Sequence, residues 1–173
     1  MLNSIYTLMF RPSQIRASNP GGMVIGVLAI LVWALNAAGA AHLGVGGVVA
    51  FFFLFFIGGC LGWYWLSASV HLIAQLLGGH GQSGETLQAI ARGLWPVLLT
   101  GPAIAATHWS LSLGAVFALS LTAGTMITIT GAIRQVHQFR WLQAYLCLLI
   151  SLGMSALAIT GLVLWPLMLF LGT

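Results

Sequence analysis

The sequence predicts an all-α membrane protein: five transmembrane helices preceded by a short interfacial N-terminal helix. Three observations predict it. Hydrophobic residues fill 60% of the 173 positions and charged residues only 3%, too few polar groups to coat a water-soluble globule. Five apolar runs approach or exceed the about 20 residues that cross roughly 30 Å of hydrocarbon. The arginines Arg11, Arg16, Arg92, Arg134 and Arg140 sit at the ends of those runs, and all fall on one side when five spans are threaded through a bilayer.

Residues 1–22 form the first unit. Ile5, Leu8, Met9, Phe10 and Ile15 alternate with polar residues and are interrupted by Pro12, the pattern of a segment lying on the membrane surface. The long amphipathic lead before the first apolar run is unlike a signal peptide. Residues 23–173 form a single transmembrane domain. Its first span is Met23 to Ala41, introduced by Asn19, Pro20, Gly21 and Gly22. The second, Val48 to Leu66, carries Phe51, Phe52, Phe53, Phe55 and Phe56 and runs on through Ser67 to Leu77. In that extension Ser67, His71 and Gln75 share one helical face, with Leu72, Ile73, Leu76 and Leu77 covering the other side.

A break follows at Gly78 to Gly84, where Gly79 is a candidate for a positive φ angle. Ser83 is the expected N-cap of the next helix, with Glu85 in its first turn. The third span, Gly93 to Thr107, contains Pro96 and Pro102 and should be kinked, with neighbouring helices satisfying the freed backbone groups. The fourth, Leu111 to Ile133, repeats Ser120, Gly124 and Thr128; the fifth, Tyr145 to Phe170, repeats Cys147, Ser151 and Ser155. Both are small-residue stripes that let helices approach closely, and they are expected to face each other.

The positive-inside rule puts the arginine side in the cytoplasm, with the N-terminus inside and the C-terminus outside. Although the net charge is +4, the arginines are scattered singly, and a nucleic-acid partner requires a dense basic patch. The absent lysine and abundant alanine and glycine point to a bacterial cell (inner) membrane. The expected partners are the lipid bilayer and other membrane proteins, in a larger complex or a homo-oligomer.

The start Phe10-Arg-Pro-Ser13, the junction His71 to Gly81, the following Glu85 and Pro96, and the connection Gly131 to Ala144 together resemble the Yip1 domain family. This resemblance implies the five-span architecture. It also implies a role in organising or trafficking membranes, since eukaryotic members are proteins of the early secretory pathway that engage Rab-type GTPases. The long cytoplasmic N-terminal region associated with those partners has no counterpart in these 173 residues.

Catalytic chemistry finds few groups. Two-carboxylate hydrolysis is excluded because Glu85 is the single acid. Gly81-Gln82-Ser83-Gly84 resembles the G-x-S-G of rhomboid proteases in four positions only, and its serine precedes a polar turn rather than heading a membrane-embedded helix. His71, His80, Glu85 and His137 form a donor set sufficient for zinc but without short ligand spacing. No metal, pigment or other cofactor is expected. Cys60 and Cys147 read as packing residues. His71 is expected to be hydrogen-bonded within the bundle, His80 and His137 to be solvated, and Glu85 to lie within reach of Arg134 or Arg140.

The candidate binding site is thus the arginine-side junction of His71, Gln75, Gly78, Gly79, His80, Glu85, Arg134, His137 and Arg140. The expected function is that of a non-enzymatic scaffold or accessory subunit. The alternative is a small-solute or lipid transporter or channel with a polar cavity lined by Ser67, His71, Gln75, Ser120, Thr128 and Ser151.

Overall fold

The computed structural model describes residues 21–41 and 44–171, with residues 162–163 and 165–171 described as backbone alone. The surface segment expected over residues 1–22 thus falls almost wholly outside the described residues. Those described are 91% helical, with no strand. In chain order they form α1 (Gly21–Ala40), α2 (Val45–Leu76), α3 (Ser83–Gly93), a 3-10 turn (Trp95–Leu99), α4 (Thr100–Trp109), α5 (Leu111–His137) and α6 (Trp141–Leu171). Taken together, α3, the turn and α4 make one span, so five segments are long and apolar enough to cross a membrane.

The third span begins at Ser83, about ten residues before the expected Gly93. The polar residues that set the expected boundary cover only part of α3: Thr86, Ala89, Ile90 and Gly93, spaced at i, i+3, i+4 and i+7, are buried in the bundle. Beyond Gly93 the helix tightens into the 3-10 turn, with Pro96 near its start. There the Thr128 hydroxyl of α5 donates to the Gly93 carbonyl at 2.7 Å. A carbonyl orphaned at a helix end is thereby satisfied from a neighbouring helix, as the proline kink requires.

The second span is one unbroken helix through its half-polar extension. It stops at a Schellman motif: Gly79 N–H donates to Ala74 O at 2.8 Å and Gly78 N–H to Gln75 O at 3.0 Å, with Gly78 at φ +83°. The positive φ expected at Gly79 is therefore at Gly78. Gly79 is needed for space instead, because a Cβ there would lie 2.8 Å from His137 Nδ1 and 2.9 Å from the Phe139 ring.

Small residues set the helix crossings, but not the pairing expected. In α1, Gly22, Gly26, Ile30, Ala34 and Ala38 are buried at intervals of four. A Cβ on Gly26 would lie 2.8 Å from that of Ala91 in α3, and one on Gly59 of α2 would lie 2.6 Å from Ile30. The stripes of α5 and α6 do not face each other. Gly124 and Thr128 turn toward Pro96 and Gly93 in the third span, whereas Cys147 and Ser155 turn toward Val70 and Trp65 in α2. A four-residue spacing marks a helix face that tolerates close approach; which helix approaches is decided by the whole packing.

The tightest packing lies at the end where α2 stops and α3 begins. Val70, Ile73, Ala74, Ile90, Ile129, Ile133, Phe139, Ala144, Cys147 and Leu148 form one buried cluster there. Toward the opposite end, α1, α4 and α5 part around an open cavity of about 470 Å³ lined by Trp33, Asn36, Thr100, Ile104, Thr122 and Thr125, among others. Across its wall Asn36 Nδ2 donates to Thr100 Oγ1 at 2.9 Å.

Candidate functional site

His137, the last residue of α5, is 1% exposed. It is buried against Phe139 of the tight cluster rather than solvated, a correction to the expectation from its place beside polar residues. Three elements converge on its ring. The backbone N–H of Gly81, in the break after α2, donates to Nδ1 at 3.3 Å. Thr86 Oγ1, on the first turns of α3, lies 3.0 Å from Nε2, and Phe139 stacks on the ring with centroids 5.7 Å apart.

These contacts assign the tautomer. Because Nδ1 accepts from Gly81, a neutral ring carries its proton on Nε2 and donates it to Thr86 Oγ1. The Thr86 hydroxyl then donates onward to the Gln82 carbonyl at 3.0 Å. The chain Gly81 N–H, His137, Thr86, Gln82 C=O leaves each polar group with a partner, which a buried node in a membrane bundle requires.

The turn that carries His137 is fixed locally. Gln138 adopts the left-handed conformation at φ 57°, and Phe139 N–H donates to Arg134 O at 3.1 Å. This closes α5 and folds Phe139 back under the imidazole.

His71 approaches from α2, its ring centroid 6.0 Å from that of His137. It is half-buried, and its Nε2 lies 3.1 Å from Gln75 Nε2. The amide donates, so the proton of a neutral His71 ring is on Nδ1, which is buried with no protein hydrogen-bond partner. Of the expected polar face, Ser67 is buried, its hydroxyl donating to Trp63 O, while Gln75 is exposed.

Glu85 closes on its own helix: its Oε2 accepts from Gln82 N–H at 3.3 Å, making Gln82 rather than Ser83 the N-cap residue. Arg134 is exposed and lies over the Trp141 ring, 5.3 Å from its centroid. The expected ion pair between Glu85 and Arg134 or Arg140 is thus not formed among the described residues. His80 and Arg140 are exposed, and Arg140 contributes its backbone N–H to Gln143 Oε1 at the start of α6.

The structure therefore gathers His71, Gly79 and His137 of the expected junction and adds Gly81, Thr86 and Phe139. It leaves His80, Arg134 and Arg140 at the surface. Thr86 had a readable signal, the i, i+3, i+4, i+7 series it opens with Ala89, Ile90 and Gly93. Phe139 had none, since its burial depends on the left-handed Gln138.

Chemically, the node is a clasp. Both His137 nitrogens are engaged, the single carboxylate is turned to a helix start, and no group of three or more His, Cys, Asp or Glu among the described residues is placed to hold a metal ion. The residues named for a transport path do not converge: Ser67 and Ser151 are buried with intrahelical bonds, while Ser120 and Gln75 are exposed. No family model, curated protein or solved structure matches this chain.

Proposed function

We propose that this multi-pass membrane protein is a non-enzymatic scaffold or accessory subunit that binds other membrane proteins, oriented with its arginine-bearing end in the cytoplasm of a bacterial cell. The observation that carries this reading is α2. Its last three turns are locked into the bundle through Ser67, Ser69, Val70, Ile73 and Ala74, yet its most apolar 18-residue stretch has no residue buried inside the chain. Phe53, Leu54, Ile57 and Leu61 are all more than half exposed. Apolar exposure alone would suit lipid equally well, but Gly58 and Gly62, four apart among these residues, are exposed with nothing within 4 Å of where a Cβ would sit, which opens this face to close approach by a neighbouring helix.

The use of Glu85 and His137 in internal hydrogen bonds supports a binding rather than a catalytic role. The Yip1-like residues support a part in membrane organisation. The test is extraction in mild detergent followed by native mass spectrometry, with Leu54→Trp and Leu61→Trp as probes of the α2 face. A stoichiometric protein neighbour that both variants release supports the reading. Recovery of a bare monomer from wild-type membranes overturns it.

A further inference from the structure

A second surface points to a different kind of ligand. Between α5 and α6 runs an open groove of about 360 Å³ lined by Met126, Ile127, Thr130, Trp141, Leu142 and Tyr145. Its lining is almost wholly apolar, because the hydroxyl of Thr130 is turned to Met126 O. Ile127 and Leu142 are 61% and 69% exposed, and in a spanning segment such exposure means contact with lipid.

Two arginines flank the groove's Trp141, one in space and one in sequence. The guanidinium of Arg134 lies over the Trp141 ring, and the ring is held near α5, 3.6 Å from where a Cβ on Gly131 would be. Arg140 immediately precedes Trp141. Both arginines are exposed, and the chain's single acid is bonded at the start of α3. Two exposed arginines, with no carboxylate partner among the described residues, thus flank Trp141 at the edge of an apolar slot that also holds Tyr145, both aromatic types that favour the membrane surface.

We propose that this groove holds one anionic phospholipid, an acyl chain lying along Met126, Ile127, Leu142 and Tyr145 and the phosphate held by Arg134 and Arg140. The charge complementarity selects the occupant. Guanidinium groups bind phosphate oxygens in pairs, and basic sites between helices at a membrane surface select anionic headgroups. A zwitterionic lipid fills the same slot but carries a cation that the two arginines repel.

The test is native mass spectrometry of the full chain in detergent with phosphatidylglycerol and phosphatidylcholine of identical acyl chains. Wild-type protein should retain phosphatidylglycerol preferentially. Each arginine should contribute roughly fivefold, the equivalent of about 1 kcal/mol, so R134Q/R140Q should retain the two lipids equally at an unchanged melting temperature. Should the double variant melt lower, R140Q alone carries the test, because only the backbone of Arg140 bonds within the protein. Ile127→Trp, which fills the slot, should reduce retention of both lipids. Equal retention by wild type, or an undiminished preference in the arginine variants, overturns the proposal. The groove uses no α2 residue, so its failure leaves the protein-binding reading untouched.

Discussion

The imidazole of His137 joins the end of α5 to the break after α2 and to the first turns of α3. Replacing Thr86 with Val removes the acceptor for His137 Nε2–H while keeping the side chain's shape. An unsatisfied buried donor costs about 1–3 kcal/mol, so Thr86→Val should lower the melting temperature in detergent. His137→Leu should cost at least as much. If the two residues act through the one bond, the double variant should be less destabilised than the sum of the singles; strict additivity would show that the bond contributes nothing. His71→Leu should be milder, since His71 is half-buried and bonded to an exposed glutamine. The histidines were legible as candidates because an ionisable residue near an apolar run is uncommon. Their ranking was not. Which imidazole enters the core is decided by Gln138 and Gly78, two left-handed residues that redirect the chain, and side-chain polarity carries no record of that.

Among the elements, the five apolar segments were readable from length and hydropathy because each must satisfy its own backbone bonds in lipid. Their contacts were less readable. The stripes of α5 and α6 were visible, but each packs on another partner, and the α1 stripe from Gly22 to Ala38 proved equally central. Glycine contacts make the pairing testable. A Cβ at Gly93 would lie 2.7 Å from Ile129 Cγ1 and 2.9 Å from its Cα, whereas at Gly62 nothing lies within 4 Å. Gly93→Ala should therefore destabilise the bundle by about 1–3 kcal/mol through overpacking. Gly62→Ala should be neutral or slightly stabilising, since alanine favours helix. Thermal unfolding in one detergent compares the two, and equal tolerance would contradict the close crossing of α3 and α5.

Over the whole molecule, the proposed orientation rests on the arginines. A reporter active only in the cytoplasm should work when fused at Met1 and fail when fused after Thr173; the reverse pattern would invert the arrangement. The same molecule is unevenly consolidated along its long axis. The buried cluster and the His137 clasp occupy one end, while the other is held across its cavity by the Asn36–Thr100 bond. Cooperative unfolding follows the density of such contacts, so the bundle should open as a graded series rather than as one block. Deuterium uptake in micelles should be slowest in α3 and the adjoining turns of α2 and α5. It should quicken through α4 and the final turns of α1, so that among these helices the cavity end exchanges its amide protons before the clasped end.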